Sequence, residues 1–273
     1  TVADYKLKCH VFSTIGSHGS LTVEQALMNS CNPYMIHLAL EMGNSRFAYY
    51  QSLFGFGKIT GIDLPGETTG IVYGDRMTTI DAACNSFGQT INVNMMQMMA
   101  AYCSIINGGM LYQPHIVKRI ESANGEVVKE YKANLVRQTI TASTSKLLRR
   151  YLKNTVEEGT AKKAGVTGYS VAGKTGTAQK GDRKDNKWII SFIGHAPAEN
   201  PKFAIYVVID EPYGTTGTSG SSADVLTLTH NILEKLLPYM NVYKDASDEY
   251  EDTSSSPDEL TVDGIPAGTA SSN

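Results

Sequence analysis

Apolar residues recur at helical spacing through the first half of the chain and gather into short unbroken runs near its C-terminal end. Thr22-Val-Glu-Gln25 is a capping box: the Thr hydroxyl accepts a backbone N–H while Gln25 reaches back. It predicts a helix from there to about Asn29. Pro33 suits the first turn of a second helix, because it has no N–H to leave unsatisfied, and that helix runs to about Met42 and stops at Gly43. Ser30-Cys31-Asn32 therefore falls at a helix junction, where side chains can point into a cleft. A short helix spans Arg46 to Phe54. Residues 58–81, rich in Gly and Thr, predict a loop. Asn94 caps a helix from Met95 to Ile106, whose methionines (Met95, Met96, Met98, Met99) read as core filling rather than a ligand cluster. Ile116–Glu121 and Val127–Tyr131 flank Asn124-Gly125 and predict a hairpin. Leu147, Leu148, Tyr151, Leu152 and Val156 give an amphipathic helix over Thr144–Val156. Two apolar strands follow, Trp188–Gly194 and Phe203–Ile209, then a helix over Ala223–Leu237. Helices first, then hairpin, helix, two strands and helix is a segregated order, which predicts an α+β fold with an antiparallel sheet.

Composition adds boundaries. At 273 residues and 41% hydrophobic content, the chain can bury a full core. From Asp245 onward there are eight acids and no Lys or Arg, so the rest of the chain is net positive although the whole carries −3. The reading is one domain over residues 1–240 and an acidic, Ser-rich disordered tail over 241–273. The first residue is Thr1 rather than Met, which predicts a piece of a longer protein. No run of about 18 apolar residues occurs, so an anchor is expected upstream of Thr1. The four cysteines (Cys9, Cys31, Cys84, Cys103) form no C-x-x-C and no zinc spacing with a His pair, so no metal and no cofactor is expected. Cys84 and Cys103 read as small core residues.

One stretch concentrates candidate chemistry. Val171-Ala-Gly-Lys174-Thr175-Gly176-Thr177-Ala-Gln179 places a lysine among small residues with two hydroxyls close behind. Gly168 to Thr175 also fits the phosphate-loop pattern G-x-x-x-x-G-K-[ST] letter for letter. That loop must join a buried strand to a helix N-terminus, whose free N–H groups hold the phosphates. Here the preceding Ala161–Thr167 segment is too polar for a central strand, and Gly176-Thr-Ala-Gln-Lys-Gly-Asp182 cannot open a helix. The nucleotide reading fails on its flanks. Ser143-Thr-Ser-Lys146 matches S-x-x-K, but Ser143 reads as a helix N-cap and Lys146 as solvent-facing.

Ser30-Cys31-Asn32 and Lys174-Thr175-Gly176-Thr177 are two of the three signature elements of penicillin-recognising serine enzymes. Longer stretches surround them: Leu21 to Pro33, Phe54-Gly-Phe-Gly57 with Gly61-Ile-Asp-Leu-Pro-Gly-Glu67, Val171 to Gln179, and Ser191 to Pro197 with Val207-Val-Ile-Asp-Glu-Pro212. Together they closely resemble class B penicillin-binding proteins, in particular septal and sporulation-specific D,D-transpeptidases of Firmicutes. The resemblance covers about residues 5 to 240.

It implies the penicillin-binding transpeptidase (serine β-lactamase-like) fold: an antiparallel sheet flanked by helices, beside a helical subdomain. It implies a serine that attacks the D-Ala-D-Ala bond of peptidoglycan stem peptides, β-lactams as inhibitors, division or sporulation membrane proteins as partners, no nucleic acid, and a place on the outer face of the cytoplasmic membrane. In that frame Ser30, Asn32 and Lys174 are catalytic: Ser30 relays a proton and Asn32 orients a lysine and a substrate amide. Lys174, Thr175 and Thr177 hold the donor carboxylate, the Thr177 N–H serves the oxyanion hole, and Gly176 lets the substrate backbone approach. The family's S-x-x-K lies upstream of S-x-N and is not in this chain, which is expected to be an N-terminally truncated fragment lacking the nucleophile. The alternative is a penicillin-binding-fold scaffold of the divisome or spore-cortex machinery that never turns over. Cys31 lies inside S-x-N, and Cys9 in the irregular segment leading to it. The two are expected to form a redox pair if their Cα atoms approach within about 7 Å.

Overall fold

In the computed structural model, residue 2 and residues 6–181, 187–212 and 221–245 are described. Most of the expected tail lies outside them. Three antiparallel strands form the central sheet: β5 (Ala172–Lys180), β6 (Lys187–Ala196) and β7 (Phe203–Asp210), in the order β5-β6-β7. Registers pair Lys174 with Ile193 and Gly176 with Ser191 across the first pair, and Phe192 with Val207 across the second.

The central strand is apolar on both faces because helices cover both. On one side, α7 (Ala223–Tyr239) sets Val225, Leu226, Leu233 and Leu237 against Ile190, Phe192 and Ala196 of β6. On the other, Tyr102 and Ile106 of α5 (Met95–Ile106) and Leu152 of α6 (Ala142–Glu157) pack with Ala172, Ile193 and Ala204. Alternate residues of a strand point to opposite faces, so an uninterrupted run such as Trp188–Gly194 signals a strand buried on both sides.

The remaining elements form a mostly helical region. The first two, α1 (Val23–Met28) and α2 (Asn32–Met42), fall where the capping box and Pro33 place them. Next come α3 (Asn44–Leu53) and α4 (Thr79–Asn85). The hairpin is present but shorter than expected, β2 (Arg119–Glu121) with β3 (Val127–Glu130).

Four details differ from the sequence reading. The segment 58–81 is not all loop: α4 begins at its end, on a second capping box in which Thr78 accepts from the Asp81 N–H and the Asp81 carboxylate accepts from the Thr78 N–H. A short ladder of β1 (Met110–Tyr112) and β4 (Leu135–Gln138) escapes notice because three or four residues carry no readable period. Thr141, not Ser143, caps α6; Ser143 is a first-turn residue. Of the α5 methionines, Met96, Met98 and Met99 are half-buried and Met95 is exposed; Gln97 is buried instead, donating to the Lys58 and Thr69 carbonyls at 2.6 and 3.0 Å. A buried amide pins the polar loop better than any thioether, because each loop carbonyl needs a donor.

Candidate active site

The S-x-N segment is built on a helix end. Ser30 N–H donates to the Leu27 carbonyl at 3.2 Å, and Cys31 N–H to the Ala26 carbonyl at 2.9 Å. These are the two bonds of a Schellman motif closing α1, which normally places glycine at the position Ser30 occupies. Ser30 accordingly has φ +49°, in the left-handed region that costs an L-residue about 1 kcal/mol. A serine held there argues that its hydroxyl is needed at that spot. Cys31 then starts α2 as its N-cap, and Asn32 follows as the first helical residue. The Asn32 amide is partly exposed and, among the described residues, makes no hydrogen bond.

Lys174 meets this turn from β5. Its ammonium donates to Ser30 Oγ, to the Thr175 carbonyl at 3.0 Å and to Thr175 Oγ1 at 3.5 Å. Among the described residues, β5 is paired on one edge alone. A strand residue turns its N–H and C=O to the same edge, and the edges alternate. The Thr175 carbonyl meets Lys174 rather than β6, so the Thr177 N–H two residues on also points to the free edge. At Gly176 a Cβ would lie 2.6 Å from Ser191 Oγ on the neighbouring strand. Glycine there makes room for Ser191 on β6.

What brings positions 30 and 174 together is α6. Its Asn154 donates to Glu24 of α1 at 2.5 Å, and just beyond its end Thr160 N–H donates to the Met28 carbonyl at 3.1 Å. Thr160 Oγ1 also lies 3.5 Å from Thr175 Oγ1. At Gly159 a Cβ would sit 2.8 Å from the Met28 carbonyl oxygen and 2.9 Å from that of Thr155, so only glycine lets the two segments close.

Lys174 keeps some solvent contact as a residue, but its ammonium is surrounded by protein. Desolvation disfavours the charged form and lowers its pKa from 10.5 to about 8. At pH 7 it remains mostly cationic, a charge poorly screened by water and facing the free strand edge.

Cys31 packs beside Cys9 and Ala26 in a small apolar cluster, both cysteines buried and free. Cys9 Sγ, Cys31 Sγ and a His18 ring nitrogen all lie within 4.8 Å of one another. Burial pushes the Cys31 thiol pKa up, with Cys9 adding to the rise. Burial, then His18, then Lys174 hold the His10 imidazole below its ordinary value. The sequence reading missed His10 and His18. No spacing rule links them to Cys31, and folding alone brings them there.

The phosphate-loop and Ser143-x-x-Lys146 matches do not form sites of their own. β5 runs on through Thr175 as strand, with no helix to hold phosphates. Ser143 and Lys146 are exposed and line a groove of about 500 Å3 along α6 with Arg149, Arg150, Lys153 and Glu199, and neither Ser30 nor Lys174 lines it.

Comparison with known proteins identifies the family. Residues 7–234 match the family described as the penicillin binding protein transpeptidase domain. Stage V sporulation protein D of Bacillus subtilis is 40% identical over 232 residues, covering 83% of this chain and 36% of that protein. The peptidoglycan D,D-transpeptidase FtsI of Escherichia coli is 32% identical over 248 residues, covering 89% of this chain and 40% of that protein. The chain thus spans somewhat over a third of the length of these relatives. Among solved structures, penicillin-binding protein 3 of Mycobacterium tuberculosis in complex with ampicillin superposes with a TM-score of 0.75 at 30% identity, over 82% of this chain and 52% of that one.

Proposed function

Because this chain belongs to the penicillin-binding protein transpeptidase family, in its class B branch, we propose that it forms the substrate-binding and proton-handling side of a peptidoglycan D,D-transpeptidase site. The observation that carries the proposal is the ammonium of Lys174 donating to Ser30 Oγ, between residues 144 positions apart. A left-handed serine bonded to a desolvated lysine at an open strand edge has no evident packing purpose.

The chemistry follows from the groups. The donor peptide ends in a carboxylate, which the Lys174 charge attracts and the Thr175 and Thr177 hydroxyls bind. The outward Thr177 N–H stabilises an oxyanion in this reading, as the scissile carbonyl becomes tetrahedral. Collapse of that intermediate expels an amine that needs a proton; Ser30 gives its own and is refilled from Lys174. Asn32, with a free acceptor and two free donors, holds a substrate amide. The acyl group itself would reside on a serine of an S-x-x-K motif, which these residues do not hold ahead of Ser30. Cross-linking of stem peptides during division or sporulation, β-lactam inhibition, membrane partners and a site outside the cytoplasmic membrane follow from the same reading; redox pairing of Cys9 with Cys31 is supported separately, by sulfurs within 4.8 Å of each other.

Fluorescent-penicillin labelling of the full-length gene product tests it. Labelling should be strong in the wild type and fall at least about 100-fold in Lys174→Ala, the loss typical of one removed electrostatic partner. Undiminished labelling of that variant would refute the assignment. A full-length product that never labels would leave the scaffold reading standing instead.

A further inference from the structure

The side chains around Cys31 form a cluster that acyl transfer does not require. Two thiols and an imidazole converge from the 9–18 segment and the turn after α1: Cys9, His18 and Cys31, with all three donor atoms within 4.8 Å of one another. Cys9 Sγ lies 3.7 Å from His18 Nδ1. A tetrahedral ion with bonds of about 2.1–2.3 Å holds its donors about 3.4–3.8 Å apart, so the cluster needs little contraction to close on one. His10 Nδ1, 3.6 Å from Cys9 Sγ, offers a further donor, and its ring centroid lies 5.6 Å from that of His18. Both thiols are buried, which shields bound thiolates from water, while half-buried His18 leaves an entry path.

The chain around these donors is short of other anchors. The single 3-10 turn His10–Ser13 buries no residue and has no side-chain cap. Val11 and Leu21 touch the apolar cluster, but Cys9 is the buried residue this segment contributes to it. Few other contacts therefore hold residues 9–18 over the Ser30 turn.

We propose that Cys9, His18 and Cys31 form a binding site for a thiophilic divalent cation, Zn2+ being the type that two thiolates and an imidazole select. On binding, two S–H bonds break, two metal–sulfur bonds form and two protons pass to solvent, with no oxidant required. The ion ties the 9–18 segment to the turn carrying Ser30 and Asn32, since Cys31 lies between them. Its occupancy excludes a Cys9–Cys31 disulfide, because the same sulfurs serve both. Metal binding itself does not depend on the transpeptidase reading; its effect on the Ser30 turn does.

The test uses the full chain, reduced with a phosphine, stripped with a chelator and titrated with Zn2+ and, separately, Co2+. One equivalent should bind, protect two of the four thiols from alkylation, and raise the melting temperature. Co2+ should show thiolate charge-transfer and tetrahedral d–d bands. His18→Ala and Cys31→Ser should each weaken binding by at least about tenfold, whereas Cys84→Ser and Cys103→Ser leave it unchanged. His18 is half-buried, so its variant reports on ligation even if a cysteine variant folds poorly. Failure of the reduced wild-type chain to bind either ion would overturn the proposal. So would binding undiminished in both ligand variants. Because the readout is metal and thiol protection, failure here leaves the penicillin-labelling result untouched.

Discussion

At the scale of single residues, Ser30 and Lys174 each trade stability for position. Ser30 takes a left-handed conformation at a helix end where glycine is the ordinary choice. Ser30→Gly should therefore stabilise the fold by about 1 kcal/mol in urea melts while removing the hydroxyl that Lys174 engages. A destabilised variant would mean the hydroxyl's bonds outweigh the backbone cost. For Lys174 the sign of the pH effect follows from its lowered pKa. The folded value is about 8 against 10.5 for the free side chain, so between them the unfolded chain binds more protons. Stability should rise with pH across that window, and the cost of the buried charge is fully present below it. Discounted for the solvent contact the residue retains, that cost is on the order of 1–2 kcal/mol. Lys174→Met should flatten the pH dependence of the melting temperature between about pH 8 and 10.5. Binding of a carboxylate donor should weaken across the same upper range as the ammonium discharges. S-x-N and K-T-G-T were legible as a motif pair, but the serine's strained backbone was not, because φ depends on how α1 is terminated.

At the scale of elements, patterning performed well wherever an end was marked chemically. Thr22 with Gln25, Pro33, Asn94 and the apolar run of β6 each fixed an element within a few residues. The same logic was available at Thr78 and Asp81, yet the many Gly and Thr residues around them masked a seven-residue helix. Thr78→Ala should cost about 1 kcal/mol and lower the urea midpoint without changing the slope, as expected for a lost cap alone. Gly159 sits between elements rather than inside one. Gly159→Ala must move the Met28 or Thr155 carbonyl, which a Cβ would approach to 2.8 and 2.9 Å. The movement pushes α1 away from β5, so penicillin labelling of the full-length product should drop even though no proposed site residue is altered. Unchanged labelling would show that α1 is held in place by something other than the Gly159 contact.

For the whole molecule, the helix–sheet–helix layering decides where the site can be. Phe192 is fully buried at the centre of the sheet under α7, and Phe192→Ala should cost about 3–5 kcal/mol by thermal or urea unfolding, a large part of a domain's stability. The sequence by itself determined the α+β order of elements, the family resemblance, the failure of the phosphate-loop pattern and the residues of the motif pair. Those are local properties, carried by caps, periods of 2 and 3.6, and flanking polarity. Tertiary structure alone decided that Lys174 reaches Ser30, that the Thr177 N–H faces an open edge, and that Cys9, His18 and Cys31 converge. The first and last of these join segments distant in sequence through α6 or through the close of α1, and the second depends on which strand β5 pairs with. Such distances are set by how helices pack on a sheet, and no spacing rule along the chain records them.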